Sequence, residues 1–132
     1  MQPTVSIVVP VYNEEPVLPE LYRRVCQVMD DMGEPWELIL VNDGSRDNSA
    51  EVIASLHEKD DRVKGISFSR NFGFQEAVTA GLTYAAGEAV VLSDADLQDP
   101  PEVIPQMVAK WREGFEVVYG IRSSRVGETW FK

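Results

Sequence analysis

Cysteine and histidine are almost missing from this chain: Cys26 and His57 are the only ones in 132 residues. One cysteine cannot close a disulfide within the chain, so the reading is of a cytosolic protein, or the cytosolic part of a larger one. One histidine excludes a His-rich zinc site, and a Ser-His-Asp triad built on any other histidine. Positive charge is scarce too, with 12 Lys and Arg against 22 Asp and Glu, a net charge of −10. That balance argues against binding nucleic acid or an anionic membrane through general electrostatics. An acidic protein that handles phosphate needs a local cation, either a metal or a few placed arginines. No run approaches the ~20 apolar residues of a membrane helix. The opening Met1-Gln2-Pro3-Thr4 has no basic region and Pro10 interrupts the first apolar run, so no signal peptide is expected. Three nucleotide and hydrolase signatures are absent as well: GxGxxG after the first strand, GxxxxGK[ST] and GxSxG.

What is present is enough for one domain with a real core, since 44% of the residues are hydrophobic. Apolar runs at Val5–Val9, Trp36–Val41, Val63–Phe68, Glu88–Ser93 and Phe115–Tyr119 read as strands. The apolar fourth run is expected to be central in the sheet. Between them lie helical segments. Leu18, Leu21, Tyr22, Val25, Val28, Met29 and Met32 share one helical face, with the regular helix starting near Pro19 and stopping at Gly33. Asp47 or Asn48 caps a helix to about Glu58. Phe74 to Ala86 forms another, closed by Gly87. Asp99 as N-cap, Pro100 at the first position and Glu102 two further on give a capping-box start to a helix reaching Glu113, with Gly114 as its stop and Pro105 as a possible kink. Strands alternating with helices predict an α/β protein with a doubly wound, mainly parallel sheet in three layers. The whole of 1–132 reads as one domain, cut short after the fifth strand.

In such sheets ligands bind beyond the carboxyl ends of the strands, and the polar residues gather there. After the fourth strand come Asp94 and Asp96. One carboxylate of the pair can ligate Mg²⁺ or Mn²⁺ while the other reaches ribose or a second metal position, and Gln98 can add a neutral oxygen. The alternative, that they merely cap the next helix, is weakened because Asp99 already does so. After the second strand, Asn42-Asp43-Gly44-Ser45 is a tight turn by composition, and Asp43 can accept a hydrogen bond from a base N–H. After the first, Pro10-Val11-Tyr12-Asn13-Glu14-Glu15 offers the Tyr12 ring and the Glu14 carboxylate for base or ribose. After the third, Ser69-Arg70-Asn71-Phe72-Gly73-Phe74-Gln75 offers close backbone approach at Gly73 and a phosphate contact at Arg70, for which a surface ion pair is the equal alternative. After the fifth, Arg122 and Arg125 could neutralise phosphate, with a solvated, frayed chain end as the alternative.

Four motifs thus stand in order: PVYNEE at 10–15, NDGS at 42–45, SRNFGFQ at 69–75 and DADLQDPPE at 94–102. In that order the chain resembles the family 2 glycosyltransferases of GT-A fold, and within them the polyprenyl-phosphate glycosyltransferases. That group includes the dolichyl-phosphate mannose synthases and the bacterial undecaprenyl-phosphate glucosyl- and aminoarabinosyltransferases. The resemblance runs from Val5 to Lys132, and the combination of DADLQDPPE with RNFG is its most specific part. It implies a nucleotide-sugar pocket at Pro10, Val11, Tyr12, Glu14, Asp43, Arg70, Gln75, Asp94, Ala95 and Asp96, with Asp43 at the base. It implies a divalent metal, Mg²⁺ or Mn²⁺, on Asp94, Asp96 and Gln98, and catalytic roles for Asp96, Arg122 and Arg125. Phe74 departs from the family, where that position is often His or Lys.

The implied reaction is metal-dependent, inverting transfer of a hexose, UDP-glucose being the first choice of donor, to a polyprenyl phosphate at the inner face of the cell membrane. Family members continue past the position of Lys132 with acceptor-binding and membrane segments. This chain therefore reads as the donor half, with no nucleic-acid partner and an unfinished sheet edge able to pair with another copy. Two other readings stand beside it: a family 2 enzyme that extends a polysaccharide or glycolipid, and a nucleotide-binding module without turnover.

Overall fold

The computed structural model describes residues 2–97 and 100–115. Four strands form one parallel sheet in the order β3-β2-β1-β4: β1 (Val5–Val11), β2 (Trp36–Asn42), β3 (Val63–Ser67) and β4 (Ala89–Leu92). All seven residues of β2 are buried, as in a strand covered on both faces. The helices are α1 (Leu18–Met32), α2 (Ser49–Lys59), α3 (Phe74–Tyr84) and α4 (Ile104–Arg112). Side chains alternate across the sheet. Val5, Ile7, Val9 and Val11 pack with residues of α1, α2 and α4 in the larger core, whereas Val8 packs with Ile39, Val41 and Ala77 of α3 in the smaller one. The result is the three-layer α/β/α arrangement expected.

The predicted face of α1 is the one that packs: Leu18, Leu21, Val25, Val28 and Met29 are buried, and Tyr22 and Met32 lie partly buried against the same core. Burying each such side chain contributes about 1.5–3 kcal/mol. Gly33 ends the helix at φ 75°, a left-handed position that glycine takes at no steric cost. Pro19 falls in the first turn, after a 3-10 turn at Glu15–Val17.

Several expectations need correction. β1 does not stop before Pro10 but runs through it to Val11. Thr4 and Val8 turn their carbonyls toward β4, accepting from Ala89 and Ser93, while Val11 accepts from Asp43 on the β2 side. By this alternation Pro10 faces the β4 side. There β4 has already ended, its last pair being Val8 with Leu92, so the missing N–H costs no ladder bond. Among the described residues β4 pairs with β1 on one side, and Val90 and Leu92 are exposed. Helix α3 stops at Tyr84, before Ala86, because Ala85 turns extended. The Ala86 N–H then donates to Glu37 Oε2 at 2.8 Å and the Gly87 N–H to Ser6 Oγ at 2.8 Å. The α4 segment opens with a 3-10 turn at Pro101–Val103, and Pro105 sits in the first turn of the α-helix, where it introduces no kink. Glu102 makes a bidentate pair with Arg24 at 2.5 and 3.1 Å. Asp99 and the predicted strand residues 116–119 lie outside the described residues, and Phe115 is not in a strand.

Helix α3 approaches β1 closely at Gly81, where a β-carbon would sit 2.3 Å from Val8 Cγ1. Val8 is fully buried and stiff at χ1. Gly81→Val is therefore expected to lower stability by at least about 2 kcal/mol, read as a reduced urea midpoint with an unchanged slope.

Candidate functional site

Strand order reverses between β1 and β4: the chain moves outward from β1 through β2 to β3, then crosses back through α3 to β4 on the other side. A crevice opens at the carboxyl ends of strands at such a point. Here it is a cleft of about 400 Å³ lined by Pro10, Val11, Tyr12 and Glu14 after β1, Asp43 after β2, Asn71, Gly73 and Phe74 after β3, and Asp94, Ala95 and Asp96 after β4.

Short polar side chains fasten its loops to one another. Asn13 takes a left-handed φ of 55°, which asparagine tolerates better than most residues. Its N–H donates to Ser45 Oγ at 2.9 Å, and its Oδ1 accepts from the Arg46 N–H at 2.8 Å. The Glu14 N–H donates to Ser49 Oγ at 3.2 Å and the Glu15 N–H to Asp47 Oδ2 at 3.1 Å. Asp47 also accepts from the Ser49 N–H and hydroxyl, so it serves the cap of α2, as expected, from the residue before Asn48. The Asn42 carboxamide closes the NDGS turn by accepting from the Ser45 N–H at 3.1 Å.

The electrostatics are one-sided. Burial, and then the charges of Asp96, Asp47 and Asp94, raise the Glu14 carboxyl above its ordinary pKa. No lysine or arginine lines the cleft among the described residues. Leu97, directly after Asp96, holds a φ of 66°, a left-handed conformation that costs a bulky residue about 1–2 kcal/mol. Strain of this kind collects at functional sites.

The donor chemistry fits a hard divalent cation held in part by a ligand. Glu14, Asp94 and Asp96 bring carboxylates to the cleft, while Asp43 is 4% exposed and accepts from the Phe72 and Gly73 N–H groups; among the described residues no three His, Cys, Asp or Glu converge as a complete metal cage. Mg²⁺ and Mn²⁺ commonly take one or two carboxylates and complete their shells with phosphate oxygens and water.

Of the residues expected at the site, Pro10, Val11, Tyr12, Glu14, Asp43, Asp94, Ala95 and Asp96 line the cleft. Arg70 and Gln75 do not; the Arg70 guanidinium stacks over the Phe72 ring at 4.0 Å. Gln98, Arg122 and Arg125 lie outside the described residues. Asn71 and Phe74 were not expected on the lining; their place in the SRNFGFQ segment after β3 was the available signal. Gly73 lines the cleft as well, and Gly44 packs closely on the same loop, where a β-carbon would fall 2.2 Å from the Arg70 carbonyl carbon and 2.4 Å from the Asn71 nitrogen.

The family model described as Glycosyl transferase family 2 matches residues 6–132. The chain belongs to glycosyl transferase family 2. An uncharacterized glycosyltransferase of Bacillus subtilis, YkcC, is 59% identical over 127 residues, covering 96% of this chain and 39% of that protein. An undecaprenyl-phosphate 4-deoxy-4-formamido-L-arabinose transferase of Shewanella sediminis is 50% identical over 122 residues, covering 92% of this chain and 37% of that one. The chain thus spans about two fifths of the length of these family 2 relatives. Among solved structures, the mannosyltransferase PcManGT of Pyrobaculum calidifontis, in complex with GDP-Man and Mn²⁺, superposes with a TM-score of 0.70 at 24% identity. That match covers 90% of this chain and 34% of that one. It supports the GT-A fold. Glucosyl-3-phosphoglycerate synthase of Mycobacterium tuberculosis, in complex with UDP, superposes with a TM-score of 0.68 at 25% identity, covering 85% of this chain and 41% of that one.

Proposed function

We propose that this chain is the donor-binding part of a glycosyltransferase that moves a sugar from a nucleotide diphosphate to a polyprenyl phosphate. UDP is the proposed nucleotide and UDP-glucose the first donor to test. The observation that carries this reading is the cleft at the β1/β4 switch point, lined by acids from three strand ends and by no cation among the described residues. A diphosphate is repelled by such a surface unless a divalent cation accompanies it. The names of the undecaprenyl-phosphate transferases among the relatives support the polyprenyl-phosphate acceptor.

Asp94 and Asp96 would hold Mg²⁺ or Mn²⁺, with Gln98 as a further oxygen donor. When bound, that ion supplies charge neutralisation for the departing nucleoside diphosphate. The chain's own residues have separate tasks. Tyr12 offers a half-exposed ring to the base or ribose. Pro10, Val11 and Ala95 form an apolar floor, and Glu14 is an acceptor for ribose. Arg70 and Gln75, outside the cleft lining, are proposed as further contacts of the donor, and Arg122 and Arg125 are proposed to screen the acceptor phosphate. That phosphate is already largely ionised near pH 7, so its oxygen can displace the nucleotide at the anomeric carbon with inversion and without a strong base. The action is proposed at the inner face of the cell membrane, through segments beyond this chain. No helix among the described residues is long and apolar enough to cross a membrane.

Calorimetric titration with UDP and with GDP, each with and without Mn²⁺, tests the donor half. Saturable UDP binding that requires Mn²⁺ is expected. GDP preference would redirect the proposal to mannose transfer, and binding of UDP that is indifferent to Mn²⁺ would remove the metal from it.

A further inference from the structure

We infer that Glu37, near the end of β2 remote from the cleft, is a positioning residue: with Ser6 it pins the register of β4 and so fixes where Asp94 and Asp96 fall. This rests on the proposed donor site and deepens it, by naming what places its metal-binding acids. The need for a pin lies in β4 itself. Ala89-Val90-Val91-Leu92 is apolar at every position, yet Val91 is buried while Val90 and Leu92 are exposed. A one-residue slip turns every side chain of a strand to the other face. Here it would exchange Val91 for Val90 or Leu92 in the core, one apolar side chain for another. Hydrophobic patterning thus separates the registers poorly. The damage would appear beyond the strand, because each step moves the chain about 3.3 Å. Buried Ala95 would then come to the place of Asp94 or Asp96.

The turn before β4 supplies what the pattern lacks. The Glu37 side chain is 7% exposed. Its Oε2 accepts from the Ser6 hydroxyl at 2.6 Å and from the Ala86 N–H at 2.8 Å. The Ser6 oxygen, its hydrogen committed to Glu37, accepts in turn from the Gly87 N–H at 2.8 Å. Two successive N–H groups of the turn are therefore held by side chains of β1 and β2, at residues that pair with each other. Lys64 of β3 lies 3.6 Å from Glu37 Oε1 and balances part of its charge. Shape closes the joint, since a β-carbon at Gly87 would fall 2.7 Å from the Ser6 nitrogen and Oγ. Between Gly87 and Ala89, which pairs with Val5, only Glu88 remains. One residue is too short to absorb a slip while both N–H groups stay bound. A register shift translates the whole strand, so unlike a local change of packing it reaches the far end undiminished.

Three variants test the pin. Ser6→Ala removes the relay and leaves the carboxylate. Glu37→Leu removes the acceptor, and Glu37→Gln keeps one oxygen, enough for both bonds that Oε2 accepts. On the ligand-free chain, amide exchange of Gly87 in Ser6→Ala and of Ala86 in Glu37→Leu is expected to accelerate at least about tenfold. Cross-strand NOEs linking Val5 with Ala89 and Val8 with Leu92 are expected to weaken in both, with NOEs of a shifted register appearing beside them. The Kd for UDP with Mn²⁺ is expected to rise about 10- to 100-fold in both, because the acids are misplaced rather than removed. Glu37→Gln is expected to keep the wild-type NOEs and Kd. Loss of folded protein alone would lower the binding stoichiometry without changing Kd. Should Glu37→Leu not melt cooperatively, Ser6→Ala decides alone. Folded variants that keep the wild-type NOEs overturn the inference whatever their affinity, and so does a shifted register with an unchanged Kd. A wild-type chain that binds no UDP overturns the donor reading instead, and the NOEs, taken without ligand, still decide the register.

Discussion

Asp96→Ala is expected to weaken Mn²⁺-dependent UDP binding by at least about 100-fold. This follows from the proposed role. Outer groups that only orient a metal ligand already cost 10- to 100-fold when lost, so a ligand itself should reach the upper end or beyond. Asp96 also heads the charges that, after burial, raise the Glu14 carboxyl, so its removal should let that carboxyl titrate closer to its ordinary range. Calorimetry on folded protein measures the loss of binding. Asp96→Asn keeps an oxygen but not the charge, and should lie between the two. Equal UDP binding by wild type and Asp96→Ala would show that the cleft does not use this carboxylate.

At the other end of the sheet, Asp60→Ala is expected to lower stability by about 2–3 kcal/mol near neutral pH. The Asp60 side chain is 9% exposed and accepts from the Arg62 Nε at 2.9 Å, Nη2 at 2.8 Å and N–H at 3.0 Å, and from the Tyr22 hydroxyl at 2.8 Å. Breaking a fully buried pair costs about 3–5 kcal/mol. The lower figure reflects the Arg62 side chain, which is 41% exposed and partly screened by solvent. Arg62 does not stand alone afterwards: it also meets Asp30 at 2.8 Å and lies 4.1 Å from the Trp36 ring centre. The hydrogen bonds from Arg62, reinforced by Tyr22, hold the Asp60 carboxyl far below the usual carboxylate range. A carboxyl depressed on folding stabilises fully above its unfolded pKa of about 3.9 and loses that contribution as pH falls through the folded value. The difference between wild type and Asp60→Ala, measured by urea denaturation, should thus be constant from about pH 5 to 8 and narrow below about pH 4. A difference that widens on acidification would contradict this account.

The elements were legible in the sequence where a physical signal was local. The period of α1 named its buried face, and alternating strands and helices gave the parallel sheet and hence the edge on which acids would gather. Partnerships between distant segments were not legible. Nothing in NDGS announces that Asp43 will be gripped by residues 71–73, because the hydrogen bonds join segments 28 to 30 positions apart. The same holds for Glu102, whose pairing with Arg24, 78 positions away, no local pattern announces. Strand ends were misjudged for a related reason. Whether Pro10 ends a strand depends on which neighbour its nitrogen faces, and that is a property of the sheet. Phe74 illustrates another limit: composition cannot tell an aromatic residue of the core from one left 56% exposed on the lip of a cleft.

The seven residues of β2 link two regions of different character, with Glu37 near one end and Asn42 at the other. At about 3.3 Å per residue these ends stand roughly 20 Å apart, beyond the range at which substitutions usually influence one another. Glu37, Asp60 and Arg62 can therefore stay fixed while the loops after the strands vary. Such separation lets the loops around the cleft change with little effect on the packing at the opposite edge of the sheet.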